Sequence, residues 1–295
     1  MYRMEWNIPK SESDKDIKTF LNEKNISKRM LTDIKYAGGK IMVNQKEVTV
    51  RYVLQQEDHL LIVFPPEPKS SALVPENLQL DIIFEDKDVL VVNKPSGMST
   101  IPSREHPEGS LANGIHGYYL RHDIDTAIHI VTRLDRDTSG LVLVAKHRHV
   151  HHLMSLQQKK REIKRSYQAL GQGVFAVKEG TVDEPIGRKE TSIIEREVRK
   201  DGKPAVTHYS VINQYAGFAH LRLDLETGRT HQIRVHMSYS GHPLLGDTLY
   251  GGNTTEIRRQ ALHCFSLSFL HPMTNDPLHF EVPLPEDMKR LLRET

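Results

Sequence analysis

Apolar positions fall into two groups along this chain, before and after a proline-rich stretch. In the first group, residues 14–25 carry apolar side chains at helical spacing, and a second helix is predicted from Ser27 to Gly38. Alternating residues over 40–50 flank an Asn-Gln-Lys turn, and HLLIVF at 59–64 is typical of a strand. The pattern predicts a small unit of two short helices followed by a curved sheet.

Strands outnumber helices after the proline-rich stretch. A hairpin is predicted over 80–98, because two apolar runs flank the acidic turn Glu85–Asp88. Further strands are predicted over 141–147, 166–175, 207–215, 218–227, 261–270 and 278–285, and helices over 110–122, 147–162 and 228–241. Short turns rather than helical crossovers join many of these strands. The fold class is therefore predicted to be α+β, with a mixed, mainly antiparallel sheet in the larger unit.

The proline-rich stretch itself predicts a domain boundary. FPPEPKSSALVPE, residues 64–76, contains four prolines and two serines, which can continue neither a helix nor a central strand. We expect a small domain at 1–66, a linker at 67–77 and a larger domain at 78–295.

Composition excludes several classes of protein. The chain has 295 residues, of which 38% are hydrophobic and 26% charged, as in folded globular proteins. Its apolar runs are too short to span a membrane, and the first ten residues lack the apolar stretch of a secretion signal. Cys264 is the only cysteine, which excludes an internal disulfide and a cysteine zinc cage. We expect a cytoplasmic protein with no membrane partner.

The distribution of charge is more informative than the net charge of +2. The segment 159–165 holds five cations, among them Lys159, Lys160 and Arg165, and a second basic stretch follows at 188–200. Clustered cations favour a polyanionic ligand such as RNA. The alternative is an ordinary solvated face of a surface helix.

The stretch VTRLDRDTSG, residues 131–140, places Arg133, Asp135, Arg136 and Asp137 just before an apolar strand. An arginine beside a partly buried carboxylate opposes the cost of desolvation and keeps the carboxylate ionised, as a nucleophile must be. In a strand Arg133 would share a face with Asp135, whereas in a loop it could turn elsewhere. From these residues alone, a structural ion pair and a catalytic carboxylate both remain open.

A second charged cluster lies in GRTHQIRVHMSYSG, where Arg229 and Arg234 are five residues apart. A helix beginning near Thr230 would direct its first amides and Arg229 toward an anion, with Arg234 one turn further along. The two arginines could clamp a phosphate, or one of them could pair with Asp135.

Three motifs, in order along the chain, resemble the RluA family of pseudouridine synthases. They are R-L-D-R-D-T-S-G-L, K-R-S-Y-Q-A, and G-R-T-H-Q-I-R-V-H followed by G-H-P-L-L-G-D and Y-G, and they span most of 78–295. The small unit resembles the RNA-binding domain named after small-subunit ribosomal protein four, through its S-K-R helix start, the following glycine and the V-N turn. One departure is Thr132, since the family commonly has histidine before R-L-D.

The resemblance implies specific roles for residues of this chain. It implies catalytic roles for Asp135, Tyr167 and Arg234, with Leu262 as an apolar pocket wall and Arg133 entering the RNA in place of the flipped base. The resemblance of the small unit adds RNA contacts by Lys28 and Arg29, and the charge clusters described above add Lys159, Lys160, Arg165 and Arg229. The implied reaction breaks the C1′–N1 bond of a uridine, rotates the uracil and rejoins it through C5. No electron or group is gained, so neither a cofactor nor a metal is expected. Ribosomal RNA is favoured over transfer RNA, and a monomer is expected.

Three features of the sequence also match other classes of protein. Asp135-Arg-Asp137-Thr matches the D-x-D-x-T motif of magnesium-dependent phosphatases of the haloacid dehalogenase type, but the later acids are mostly isolated. A non-catalytic RNA-binding protein has no need of Asp135, Tyr167 and Arg234 together. His147 and His151 have the i, i+4 spacing of zinc ligands, but the basic helix around them is more typical of an RNA-facing surface.

Overall fold

The computed structural model of the protein describes residues 1–68, 73–103 and 106–293. Residues 69–72 of the predicted linker and the last two residues of the predicted larger domain lie outside these ranges. The helices are α1 (Ile17–Glu23), α2 (Lys28–Tyr36), α3 (Leu111–Arg121), α4 (Arg148–Lys159), α5 (Gln232–Tyr239) and α6 (Glu286–Arg293). Among the described residues, none of the helices combines the length and the apolar character needed to cross a membrane.

The strands follow the apolar runs closely. They are β1 (Arg3–Asn7), β2 (Lys40–Val43), β3 (Lys46–Glu47), β4 (His59–Val63), β5 (Asp81–Glu85), β6 (Val89–Lys94), β7 (His129–Ile130), β8 (Ser139–Ala145), β9 (Lys164–Gln172), β10 (Glu179–Asp183), β11 (Ile186–Arg188), β12 (Arg196–Val198), β13 (Val206–Gln214), β14 (Phe218–Leu225), β15 (Leu262–Leu270) and β16 (Pro277–Glu281).

The N-terminal unit has the predicted helix pair and sheet. Asp16 caps α1 by accepting the amide of Thr19, and Ser27 caps α2 by accepting the amide of Met30, so both helices begin at side chains suited to it. Within the described ranges its sheet has the order β1-β4-β2-β3. Strand β1 was not predicted, and it pairs antiparallel with β4 at the edge of the sheet.

The larger unit confirms the predicted α+β class. Its main sheet, counted over the described residues, has ten strands, with the order β10-β13-β14-β9-β15-β8-β6-β5 and with β7 and β16 paired to β8 and β15. The pairing of β8 with β15 is parallel, while the neighbouring pairs of β9 with β14 and with β15 are antiparallel. The mixed sheet therefore brings the starts of β8 and β15 side by side.

Gly140 makes the close pairing of β8 and β15 possible. Its φ is +115°, and a Cβ atom there would lie 2.2 Å from the carbonyl oxygen of Cys264. A larger residue would push β8 away from β15. The glycine thus fixes the strand that directly follows the charged loop 131–138.

Two hydrophobic clusters account for most of the core. One lies between α1, α2 and the first sheet, and the other packs on the main sheet, where every residue of β8 is buried. The described part of the predicted linker is held against the larger unit: Glu67 accepts the backbone amide of Arg148 at 2.7 Å, and the Val74 carbonyl accepts from Asn113 at 2.8 Å. The domain boundaries themselves stay a prediction.

The start of α4 lies at the junction of the two clusters. Tyr2 stacks on His147 with ring centroids 3.9 Å apart, Phe64 stacks on His149, and Arg148 forms an ion pair with Asp33. The predicted RNA-facing histidine surface is therefore wrong for His147 and His149, since tertiary packing by N-terminal aromatic residues covers both. Glu67 lies 3.2 Å from His147, a partner that the sequence of α4 alone could not indicate.

Replacing His149 by leucine is expected to reduce the loss of stability in acid. Burial lowers the pKa of His149 to about 4, and in the part of the chain described neither ring nitrogen has a hydrogen-bond partner. Below about pH 6.5 this histidine takes up a proton in the unfolded chain but not in the folded protein. The free energy of unfolding therefore decreases as the pH is lowered, by up to about 1.4 kcal/mol per pH unit. Between pH 7.0 and pH 4.5, the free energy of unfolding of His149→Leu, measured in urea, should decrease by about 2 kcal/mol less than that of wild type. The exposed His106→Leu is the control, and an equal change in both variants would contradict the prediction.

Candidate active site

A cavity of about 490 Å³ opens beside the starts of β8 and β15. Seven of the residues predicted from sequence line it, namely Arg133, Asp135, Arg165, Tyr167, Arg229, Arg234 and Leu262. They come from the loop before β8 and from β9, the loop before α5, α5 and β15. The structure thus brings together, from these five elements, residues that the motifs and charge clusters indicated.

The loop that carries Asp135 is fixed on both sides. Thr132 accepts the amide of Leu143 at 2.9 Å, and Thr100 donates to the carbonyl of Leu134 at 2.7 Å. The amide of Thr138 closes a turn on the Asp135 carbonyl at 3.1 Å. Thr132, the departure from the family pattern, therefore has a clear structural use. Arg133 and Asp135 lie in a loop rather than a strand, yet both line the cavity.

Lys94 supports this loop from beneath. Its buried ammonium donates to the carbonyls of Pro95 at 2.8 Å, Met98 at 2.7 Å and Arg136 at 3.0 Å. Burial lowers the pKa of Lys94 to about 7, and the nearby Asp135 carboxylate opposes that shift. Sequence reasoning missed this residue, although a lysine that ends a strand just after the apolar run 89–92, in Asn93-Lys94-Pro95, was a usable signal.

Two side chains from the start of α5 face the Asp135 carboxylate. Nη1 of Arg234 donates to Oδ2 at 3.2 Å, and Nε2 of His231 lies 3.9 Å from Oδ1. The Asp135 side chain is 25% exposed, so its free lone pairs face the cavity. This is a carboxylate held by one arginine contact and open to a ligand.

Arg234 has a second and closer partner. Its Nε and Nη2 donate to the two oxygens of Asp247 at 2.7 and 2.8 Å, and the Asp247 side chain is fully buried. The predicted pairing of Arg234 with Asp135 is therefore shared with Asp247, which sequence reasoning passed over as an isolated acid. A carboxylate inside the apolar turn G-H-P-L-L-G-D could have indicated a buried cation.

His231 is held in a defined orientation. Its backbone is left-handed, with a φ of 58°, which is uncommon for a residue with a side chain. Tyr250 accepts the amide of Arg196 at 2.9 Å, so its hydroxyl proton is available to His231 Nδ1, 2.8 Å away. The contact with Tyr250 fixes the ring so that its other nitrogen, Nε2, faces Asp135.

Tyr167 lies in the middle of β9, opposite Cys264 of β15. Its ring is buried, and its hydroxyl accepts a hydrogen bond from Arg165 at 3.3 Å. Burial raises the pKa of Tyr167 well above its ordinary value, so the hydroxyl is protonated at neutral pH. Leu262 is buried at the start of β15 and lines the cavity, and its role as the apolar wall of a substrate pocket stays a prediction.

The remaining predicted RNA contacts lie outside the cavity lining. Lys159 ends α4 and Lys160 follows it, both exposed, and β9 begins at Lys164. The basic segment therefore spans a helix end, a turn and a strand start rather than one helix face. Lys28 and Arg29 are exposed in the first turn of α2.

Within the described ranges, Asp86, Asp88 and His271 could geometrically hold a metal ion, since their ligand atoms lie within 4.8 Å of one another. However, His271 Nδ1 accepts the amide of Thr274 at 3.2 Å. Its proton is therefore on Nε2, from which it is donated to Asp86 at 2.9 Å. This is the geometry of a histidine–aspartate hydrogen bond.

Comparison with known proteins identifies the family. The family model for RNA pseudouridylate synthase matches residues 88–239, which include the loop of Asp135 and the helix of Arg234. The chain belongs to the RNA pseudouridylate synthase family. It is therefore an RNA isomerase, and the resemblance predicted from its motifs is confirmed.

Three similar proteins cover between 74% and 94% of this synthase. The "Uncharacterized RNA pseudouridine synthase YjbO" of Bacillus subtilis is 54% identical over 277 residues, covering 94% of this chain and 98% of the relative. The "Ribosomal large subunit pseudouridine synthase D" of Haemophilus influenzae is 41% identical over 231 residues, covering 74% and 71%. A solved structure of human RNA pseudouridylate synthase domain containing 1 has the same fold, with a TM-score of 0.59 at 24% identity over 77% of this chain and 96% of that one.

Proposed function

We propose that this synthase converts uridine to pseudouridine in large-subunit ribosomal RNA and that Asp135 is its catalytic carboxylate. The observation that carries the proposal is the contact of Arg234 with Asp135 at 3.2 Å inside a cavity that Tyr167 and Leu262 also line. The cavity volume of about 490 Å³ lies in the range of pockets that enclose small ligands, as a flipped nucleotide would be.

The chemistry requires an ionised carboxylate next to the sugar. When the C1′–N1 bond breaks, its electron pair leaves with N1. Asp135 either forms a transient bond to the reacting nucleoside, which breaks again before the product leaves, or removes a sugar proton, which it returns before the product leaves. After the uracil rotates, C5 bonds to C1′ and loses its proton, while N1 gains one, so the sum of atoms and electrons is unchanged. Arg234 keeps Asp135 charged, and the facing Nε2 of His231, when it carries the ring proton, offers a donor to the anionic uracil.

Tyr167 would stack on the uracil and direct the C5 proton. Because burial raises the pKa of its hydroxyl, Tyr167 is a phenol rather than a phenolate at neutral pH. The phenol fits a relay through water better than direct removal of the proton, and Arg165 orients its oxygen. The flat ring on β9 would meanwhile hold the base during its rotation.

RNA would be held by cations arranged around this cavity. Arg133 and Arg229 are exposed at its edge and Arg165 lies half-buried behind them, which suits Arg133 to enter the space left by a flipped base. Lys159 and Lys160 extend the basic surface, and Lys28 and Arg29 would bind RNA from the N-terminal domain at 1–66. The relatives named for the large ribosomal subunit favour ribosomal RNA, and a cavity completed by one chain suits a monomer.

Tritium release from labelled RNA tests the proposed substrate. Uridine carrying tritium at C5 loses it to water when C5 bonds to C1′, so each isomerisation is counted directly. We expect release from large-subunit ribosomal RNA and none above background from small-subunit or transfer RNA, with no change in excess EDTA. Release from transfer RNA alone would overturn the proposed substrate, and inhibition by EDTA would contradict the cofactor-free chemistry.

Binding to RNA is expected to weaken steeply as the salt concentration rises. This salt dependence should become smaller when basic side chains that contact phosphates are neutralised. Each phosphate contact on a single strand contributes about −0.7 to the slope of log K against log salt. If Lys159 and Lys160 each contact a phosphate, the Lys159→Gln/Lys160→Gln variant should show a slope shallower by about 1.4 in a filter-binding titration. The exposed Lys178→Gln, outside the cavity lining, is the control. A slope equal to that of wild type would exclude both lysines from the RNA contact.

A further inference from the structure

Arg234 divides its guanidinium unequally between two carboxylates. Asp247 receives two N–H donors at 2.7 and 2.8 Å, whereas Asp135 receives one at 3.2 Å. The Asp247 side chain is fully buried, and that of Asp135 is 25% exposed. The bidentate, desolvated pair is thus on the side away from the ligand.

The turn around Asp247 holds this arrangement rigidly. Gly246 has a φ of +76°, and a Cβ there would lie 2.0 Å from the Arg259 carbonyl oxygen, so the turn requires glycine. The Asp247 carbonyl accepts the amides of Tyr250 and Gly252. Tyr250, on the same turn, places its ring 5.0 Å from the guanidinium carbon of Arg234. The turn therefore contacts Arg234 twice, through the carboxylate of Asp247 and through the ring of Tyr250.

The unequal sharing of Arg234 between Asp247 and Asp135 affects the reactivity of Asp135. A carboxylate that accepts two parallel bonds from arginine is strongly stabilised in its charged form, and is correspondingly a weaker nucleophile and base. Because Asp247 takes those two bonds, Asp135 keeps one contact that maintains its charge and retains lone pairs toward the cavity. Without Asp247, Asp135 would be the sole anionic partner of Arg234.

We propose that Asp247 is a positioning residue that anchors Arg234 and prevents it from forming a bidentate pair with Asp135, so that the Asp135 carboxylate stays both ionised and reactive. The inference rests on the proposed catalytic role of Asp135. In this proposal the G-D-T-L-Y turn tunes the reactivity of the Asp135 carboxylate by holding Arg234, and it does not contact the substrate.

The pH dependence of single-turnover isomerisation tests this in Asp247→Asn. With the charge of Asp247 removed, Arg234 should move onto Asp135, and the rate constant at pH 7.5 should fall by about 10- to 100-fold. The acid limb of the pH–rate profile should move to lower pH by about one unit, while the Kd for RNA stays within about threefold. Charged or titratable groups that act on Asp135 are Arg234, His231, Lys94, Tyr167 and Tyr250, and the variant retains all of them.

Three further variants make the test decisive. Asp287→Asn breaks the matched bidentate pair with Arg259, at 2.6 and 2.8 Å, and should leave the acid limb in place. Asp247→Ala should recover at least about tenfold in rate with formate at constant ionic strength, because formate can replace the lost carboxylate. If Asp247→Asn does not fold, this rescue decides the question. An unmoved acid limb, or the absence of formate rescue, would make Asp247 merely structural and overturn the inference. An active Asp135→Asn would instead overturn the proposed function.

Discussion

Replacing Asp135 by asparagine is expected to abolish isomerisation while leaving RNA binding intact. Asparagine keeps the shape of the side chain but removes the charge that faces the cavity beside Arg234. Loss of a residue that bonds to reacting atoms typically costs about ten-thousand-fold or more in rate. Single-turnover tritium release with excess enzyme measures that loss, and filter binding measures the Kd, which should change by less than about threefold.

The neighbouring acid provides a matched control for this prediction. Asp137 lies two residues further along the same loop but does not line the cavity among the described residues. Asp137→Asn should retain activity within about threefold, whereas a D-x-D-x-T phosphatase would need both aspartates. Equal loss in the two variants would contradict the assignment of Asp135, and so would substantial activity of Asp135→Asn.

Replacing Arg234 by methionine is expected to produce the largest loss of stability. The change leaves the fully buried Asp247 without the two donors that compensate its charge. Breaking a buried ion pair on one side typically costs about 3–5 kcal/mol, because an uncompensated charge remains. Urea unfolding measures this loss. Isomerisation should also be lost, since Asp135 loses its guanidinium contact.

A double variant separates the two effects of Arg234. In Arg234→Met/Asp247→Leu both charges are gone, so most of the stability should return, while isomerisation should stay lost. Arg259→Met is the matched single variant, and it should cost less because its partner Asp287 is 37% exposed. A loss in Arg234→Met below about 1 kcal/mol would show that Asp247 is not the buried charge described above.

Local sequence patterns predicted the helices and strands that have a clear hydrophobic periodicity, a continuous apolar run or a capping residue. Ser27 begins α2 as predicted, and the apolar run 141–145 became the fully buried β8. The hairpin of β11 and β12 was missed, because its short, charged strands are stabilised by partners elsewhere, such as Tyr250 on the amide of Arg196. Strand β1 was missed for a similar reason, since it forms through pairing with β4, 52 residues or more away.

The site was predicted as far as its motifs reached. The motifs indicated Asp135 and Arg234 as partners although 99 residues of chain separate them. No spacing rule, however, indicates that one guanidinium binds two carboxylates. Lys94 was missed because its partners are backbone carbonyls, which any sequence provides. His147 and His149 were misinterpreted because their burial depends on Tyr2 and Phe64, which only the tertiary structure brings there.

Pseudouridine mapping in cells tests the central claim most directly. Ribosomal and transfer RNA from cells lacking this protein, rescued with wild type or Asp135→Asn, would be mapped by carbodiimide adducts and reverse-transcription stops. We predict stops in large-subunit ribosomal RNA that wild type restores and Asp135→Asn does not. Stops restored equally by Asp135→Asn, or stops unchanged in every strain, would contradict the account.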